Sequence, residues 1–154
     1  MARGPAEAEV HGTCVRIGDA GVLLRGGPGS GKSDLALRLI EDGARLVADD
    51  RVRLRRAGGR ILASAPPALA GLLEVRGLGI VRLAPARTAA EAPLALVADL
   101  VAPGAALERL PEPATTAVLD AALPLLRIAP HEATAAAKLR LAVGRGPGSI
   151  MSPR

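Results

Sequence analysis

Apolar and polar positions follow a period of two in some stretches of this chain and helical spacing in others, and the changes between them mark its elements. Val10-His11-Gly12-Thr13-Cys14-Val15-Arg16-Ile17 predicts a strand, Gly18-Asp19-Ala20-Gly21 a turn, and the unbroken apolar run Val22-Leu23-Leu24 a buried strand that pairs with the first as a hairpin. From Lys32 to Asp42 the apolar residues Leu35, Ala36, Leu39 and Ile40 share one helical face, and Gly43 supplies the stop. Leu46-Val47-Ala48 is a strand that ends in the paired acids Asp49-Asp50. Arg51-Val52-Arg53-Leu54-Arg55 alternates with period two, turns at Ala57-Gly58-Gly59 and returns through Arg60 to Ser64, a hairpin whose arginines form a solvated edge.

Pro66-Pro67 then breaks the chain, a short helical turn covers Leu69 to Leu72, and Leu73 to Val81 is expected to be extended, with Gly77 and Gly79 marking a bulge or a close backbone approach. A loop containing Pro85 and Pro93 leads to the strand Leu94 to Asp99, and Ala102 to Leu110 is a loop. Leu119 to Ile128, broken by Pro124, leads into a further strand. The alanine-rich segment from His131 to Ala142 is helical and stops at Gly144. The resulting organisation is a flexible lead-in over 1–9, a single domain over 10–144 and a frayed tail over 145–154.

Composition narrows this α/β picture. A chain of 154 residues with 49% hydrophobic side chains fills one domain, yet it has no Phe, Tyr or Trp, so its core is built from Leu, Val, Ile and Ala. The same absence removes aromatic stacking as a way to hold a base and with it the stacking platforms used on single-stranded nucleic acid. Only Lys32 and Lys138 are lysines, so arginine carries most of the net charge of +5. The arginines are scattered and no nucleic-acid motif accompanies them, so nucleic acid is not expected as a partner. One cysteine, Cys14, and two histidines give neither an internal disulfide nor a zinc cluster. No leader and no membrane-spanning run is recognised, and a cytoplasmic protein without membrane contact is expected.

The chemistry enters at Gly26-Gly27-Pro28-Gly29-Ser30-Gly31-Lys32-Ser33, which fits the P-loop spacing without mismatch. Backbone N–H groups of such a turn converge on a phosphate and add the positive end of the following helix. Lys32 would reach the β- and γ-phosphates and Ser33 would hold Mg²⁺. The apolar strand before it and the amphipathic helix after it supply the context that the motif needs.

Asp49 and Asp50 fall at the carboxyl end of a strand, where ligands sit in α/β sheets; beside a γ-phosphate they could ligate Mg²⁺, orient water or accept a hydroxyl proton. Without the P-loop they would read as a solvated turn. Glu74 and Arg76 would share one face if their segment is extended, available together to metal and phosphate. Asp99, ending a second apolar run, competes for the metal-binding role but lacks a paired acid. His11 lies on a strand neighbouring the loop; taken alone, a strand histidine is more often structural than functional.

His11-Gly12, the P-loop, Leu46-Val47-Ala48-Asp49-Asp50 and Leu73-Glu74-Val75-Arg76-Gly77-Leu78-Gly79-Ile80 occur in that order, and together they resemble the catalytic domain of the HPr kinase/phosphorylase family. The resemblance covers about Val10 to Leu110. It implies a P-loop kinase domain related to phosphoenolpyruvate carboxykinase, a mixed sheet flanked by helices with β-hairpins. It also implies an ATP- and Mg²⁺-dependent enzyme of the bacterial phosphotransferase system that phosphorylates a serine of the carrier protein HPr, or a paralogue. Many members reverse the reaction with inorganic phosphate, releasing pyrophosphate. By the same resemblance His11 matches an active-site histidine, Lys32 the phosphate-binding lysine, Ser33 and Glu74 metal ligands, and Asp50, with Asp49 beside it, the group that takes the serine proton. Arg109 within Glu108-Arg109-Leu110 matches a catalytic arginine, and Arg76-Gly77-Leu78-Gly79 an active-site loop.

Two features depart from the pattern. Longer members carry an N-terminal domain, and this chain is expected to lack regulation through one. The family's dephosphorylation loop is rich in arginine and proline, whereas the corresponding stretch here is Pro130-His131-Glu132-Ala133-Thr134. The family assembles as hexamers, so a homo-oligomer is an expectation. A small-molecule kinase on a P-loop scaffold and a nucleotide-binding module without turnover remain open on the residues alone.

Overall fold

The computed structural model describes residues 6–145; Met1 to Pro5 and the expected tail beyond Arg145 lie outside them. In chain order the strands and helices are β1 (Glu7–His11), β2 (Thr13–Ile17), β3 (Ala20–Arg25), α1 (Lys32–Glu41), β4 (Arg45–Ala48), β5 (Arg51–Ala57), β6 (Arg60–Ser64), β7 (Leu72–Val75), β8 (Gly79–Arg82), β9 (Glu91–Leu100), β10 (Ala114–Val118), β11 (Ala121–Ile128) and α2 (Ala135–Arg145). Nine strands form one mixed sheet in the order β1-β5-β6-β9-β3-β2-β4, with β11 also on β9 and β10 on β11; β7 and β8 stand apart as a two-stranded ribbon.

The sheet is a curled layer with its two helices on one side. Val15, Val22, Leu24, Leu96 and Ala98 point toward Leu35, Leu39 and Ile40 of α1 and Ala135, Ala136 and Leu139 of α2. The side chains between them on the same strands, Cys14, Leu23 and Val97, face a second core with Val52, Leu54, Ile61 and Ala63 of the β5–β6 hairpin. Strands buried on both faces explain the near-continuous apolar runs at 22–24 and 94–98. The sheet itself covers the face that helices would flank in a doubly wound fold.

Several predicted boundaries move. The strand expected from Val10 to Ile17 is two strands, because the chain breaks at Gly12. A β-carbon there would lie 2.9 Å from the Leu24 carbonyl oxygen, and the Gly12 N–H instead donates to the Asp50 carbonyl at 3.2 Å. β2 continues into the predicted hairpin with β3. β1 crosses to pair with β5, from Glu7↔Arg55 to His11↔Arg51. Glu7 to Glu9, expected in a flexible lead-in, are therefore ordered strand. The arginine strand is no edge either, since β1 covers it and Glu9 pairs with Arg51 and Arg53.

Pro93, expected in the loop before the strand at Leu94, and Pro124, expected to break the stretch Leu119 to Ile128, lie inside β9 and β11. Each sits where pairing changes hands: Pro93 is opposite Leu62 where the ladder with β6 ends, and the parallel ladder of β11 on β9 begins one residue after Pro124. A residue without an N–H is tolerated at such junctions. α1 runs as expected, whereas α2 starts at Ala135 rather than His131 and continues through Gly144 to Arg145.

Candidate active site

The P-loop joins the carboxyl end of β3 to the first turn of α1. Gly29 and Gly31 have φ of 75° and 98°, left-handed values that a β-carbon would strain, and no side chain caps the helix. Its first N–H groups therefore remain available to an anion. Lys32 Nζ lies back along the loop, donating to the carbonyls of Gly26 at 2.7 Å and Gly27 at 3.0 Å. The residue before the loop is anchored as well: Arg25 donates through Nε and Nη2 to the two oxygens of Asp99 at 2.7 and 3.0 Å, and through Nη2 to Thr116 Oγ1 at 3.4 Å. Asp99 is thereby the partner of an arginine, a fork-to-fork pair across parallel strands.

Asp49 and Asp50 are adjacent in sequence and opposite in environment. Asp49 is buried, and its carboxylate accepts three hydrogen bonds: from Thr13 Oγ1 at 2.8 Å, from Ser33 Oγ at 3.0 Å and from the Glu74 backbone N–H at 2.9 Å. It thus ties β2, the start of α1 and β7 to one point. Asp50 turns away from that point with φ of 70°, a left-handed conformation uncommon outside glycine and concentrated at functional sites. Its side chain is 65% exposed, with Oδ1 3.9 Å from His11 Nδ1.

The β7–β8 ribbon closes the other flank. Leu78 N–H bonds to Val75 O at 3.0 Å, so Arg76, Gly77 and Leu78 form a tight turn rather than the extended segment predicted. The Glu74 backbone and the Arg76 side chain reach the surroundings of the loop separately. The Glu74 N–H is held by Asp49, and the Arg76 guanidinium reaches over the P-loop, 3.6 Å from where a β-carbon on Gly29 would stand. Leu78 and Ile80 are exposed on the ribbon.

This arrangement has known relatives. The family model for the HPr Serine kinase C-terminal domain matches residues 5–139. The chain belongs to that family. The HPr kinase/phosphorylase of Clostridium tetani is 47% identical over 75 residues, 49% of this chain and 25% of that protein. The enzyme of the same name from Shouchella clausii is 51% identical over 75 residues, 48% and 24% of the two chains. The chain thus spans about a quarter of the length of these relatives in the matched stretch. Over the whole domain it superposes on the Hpr(Ser) kinase/phosphatase of Coxiella burnetii with a TM-score of 0.79 at 24% identity, covering 91% of this chain and 96% of that one, a likeness of fold.

Within this HPr kinase domain, the structure brings together most of the residues singled out from sequence. Lys32, Ser33, Asp49, the Glu74 backbone and Arg76 surround the loop from Gly26 to Gly31, and His11 and Asp50 form the adjoining turn. Arg109 is apart: it lies exposed in the segment between β9 and β10, and no hydrogen bond or ion pair among the described residues ties it to the loop. Among those residues no three His, Cys, Asp or Glu side chains cluster for a metal. Ser33 and Asp49 nevertheless suit Mg²⁺, which takes few protein ligands and completes its shell with water and phosphate.

Thr13 escaped sequence reasoning. Its hydroxyl is fully buried on Asp49, and the only sequence signal is a polar residue flanked by apolar ones in a strand buried on both faces. Arg38 escaped too, and its guanidinium binds the carbonyls of Pro130 and Glu132, holding the segment ahead of α2 against α1. No described helix is long and apolar enough to cross a membrane.

Proposed function

We propose that this chain transfers the γ-phosphoryl group of ATP to a serine hydroxyl of HPr or an HPr-like carrier protein. The observation that carries the reading is the pair of adjacent acids: a buried one on the P-loop serine and an exposed one beside His11, within the family of the HPr Serine kinase C-terminal domain. The loop and Lys32 cradle the phosphate chain. Bound Mg²⁺ would neutralise charge on the phosphate oxygens; Ser33 and Asp49, hydrogen-bonded to each other, would hold it, with Glu74 as the further ligand that the family resemblance implies. Arg76, above Gly29, offers its positive charge where the transferring group gains negative charge.

Asp50 takes the proton of the incoming serine. The serine oxygen forms a bond to the γ-phosphorus, the bond from that phosphorus to the ADP oxygen breaks, and ADP leaves with the electron pair. Exposure suits Asp50, since a protein substrate must bring its hydroxyl there from solvent. His11 lies on the adjoining turn with Nδ1 3.9 Å from the carboxylate. Reversal by inorganic phosphate would use the same parts, with Asp50 returning the proton. Arg109 would join this set if its loop closes on the acceptor.

The test is incubation with labelled ATP, Mg²⁺ and purified HPr, wild type against Lys32→Ala. Label on an HPr serine, lost in the variant, is the expected result. Label on a small metabolite would replace this reading with that of a small-molecule kinase, and nucleotide binding without transfer would replace it with a regulatory module.

A further inference from the structure

β3 and β9 run parallel and side by side, and their last shared rung before the P-loop is Arg25 opposite Asp99. Below it both strands are apolar, from Val22 to Leu24 and from Leu94 to Ala98. The Arg25 guanidinium meets both Asp99 oxygens, and the curl of the sheet brings Thr116 of β10, three strands away along the path β3-β9-β11-β10, within reach of the same Nη2. We infer that Arg25, gripped by Asp99, is a positioning residue for phosphoryl transfer: it holds the entrance of the P-loop in place when Lys32 turns from the loop carbonyls to phosphate. This role rests on the phosphate-transfer reading and adds to it the group that keeps the loop in shape while its lysine works.

The need for such a group arises from Lys32. An ammonium has three N–H donors, and here they go to the Gly26 carbonyl at 2.7 Å, the Gly27 carbonyl at 3.0 Å and Ser30 Oγ at 3.4 Å. Lys32 thus braces the loop from within, and it reaches a phosphate only by giving up part of that brace. The entrance is then left to Gly26, which has no side chain of its own to anchor it. A β-carbon on Gly26 would lie 2.8 Å from Ser30 Cβ and 3.4 Å from Leu100 Cβ, so its backbone is wedged between the returning loop and the residue after Asp99. Rotation of the last rung would drive Gly26 into one neighbour and away from the other. The Arg25–Asp99 fork opposes that rotation, because two parallel hydrogen bonds set an angle as well as a distance. Stability does not account for the pair: its side chains are 34% and 37% exposed, and so wet an ion pair adds little to folding. What it supplies at a loop entrance is geometry, on which phosphoryl transfer by alignment and charge depends.

Arg25→Lys keeps the charge and loses the fork; Asp99→Asn keeps the shape and loses the charge. Each single variant and the double variant would be compared with wild type by unliganded melting, by calorimetry with Mg²⁺-ATP, and by steady-state phosphorylation of purified HPr. The unliganded melt should move by no more than about 4 °C. Affinity for Mg²⁺-ATP should fall about tenfold and kcat about 10–100-fold, while KM for HPr stays within about twofold. The double variant should be no worse than the worse single one, because the two residues act as a unit. A pair that serves the fold alone gives the opposite split, a lower melting point with wild-type ATP affinity and wild-type kcat per folded molecule. That split, or losses that multiply in the double variant, would overturn the inference. Should Asp99→Asn not fold, Arg25→Lys decides by the same measurements. Wild-type protein that binds Mg²⁺-ATP without phosphorylating HPr would remove the transfer reading alone, and the change in ATP affinity would still decide for or against Arg25.

Discussion

At the scale of single residues, two consecutive aspartates differ sharply in burial, one enclosed and one 65% exposed. The sequence made both visible as acids at a strand end, but not the difference, which arises from one left-handed residue that turns Asp50 out to His11 while Asp49 stays under Thr13, Ser33 and the Glu74 N–H. Asp50→Asn should therefore keep the fold and nucleotide affinity while lowering serine phosphorylation by about 10²–10⁴, the usual worth of a general base. Asp49→Asn should instead lower stability by about 1–3 kcal/mol, since an amide cannot accept all three buried donors, and should weaken Mg²⁺-nucleotide binding. Thermal melts and calorimetry on the two variants distinguish these outcomes. Cys14 gives a check independent of function. Burial pushes its thiol up to about 12, because the thiolate would lose its hydration. Labelling by a thiol reagent at pH 8 should thus be slow in native protein and fast once urea unfolds it. In linkage terms the raised value favours the folded state fully below the ordinary thiol range near about 8.5. That contribution disappears as pH rises from there through about 12.

At the scale of elements, local pattern located nearly every strand, and it failed where one element is shaped by contact with another. Nothing within Val10 to Ile17 marks a break, because the break is set by the Leu24 carbonyl packed against Gly12. Pro93 looked like loop and Pro124 like a break, because the hand-over of pairing between β6, β3 and β11 is visible only in the assembled sheet. The segment at Leu73 to Val81 was expected to be extended and is a ribbon with a tight turn, since two glycines two residues apart serve a turn as well as a bulge. The break at Gly12 sets His11 beside Asp50 by sending β1 to β5 while the Gly12 N–H holds the Asp50 carbonyl. Gly12→Ala places a methyl 2.9 Å from a backbone oxygen that cannot rotate away. The expected cost is about 1–3 kcal/mol of stability, as for other overpacking changes. Phosphorylation should fall further than the loss of folded protein explains, as the turn shifts. Chemical denaturation read alongside the activity of the remaining folded fraction measures both.

At the scale of the whole molecule, the α/β class and the P-loop followed from sequence, while the curl of the sheet did not. Alternation assigns a residue to one of two faces; it does not say that the second face will be covered by the β5–β6 hairpin rather than by a helix. The consequence is that α1 and α2 share one core with the strands that carry the phosphate cradle, with Leu35 and Leu39 of α1 packed against Val22 and Leu24. The cradle is then part of the cooperative unit, and a ligand bound there should stabilise the entire fold. Mass action gives about 2.7 kcal/mol at a ligand concentration one hundred times Kd. For a chain of this size each kcal/mol moves the melting point by about 2–4 °C, so saturating Mg²⁺-ATP should raise Tm by about 5–10 °C. Lys32→Ala should abolish most of that rise while leaving the unliganded melt near wild type, because the Nζ contacts of Lys32 are to exposed loop carbonyls and not to the core. A rise of equal size in both proteins would place the ligand somewhere other than the loop.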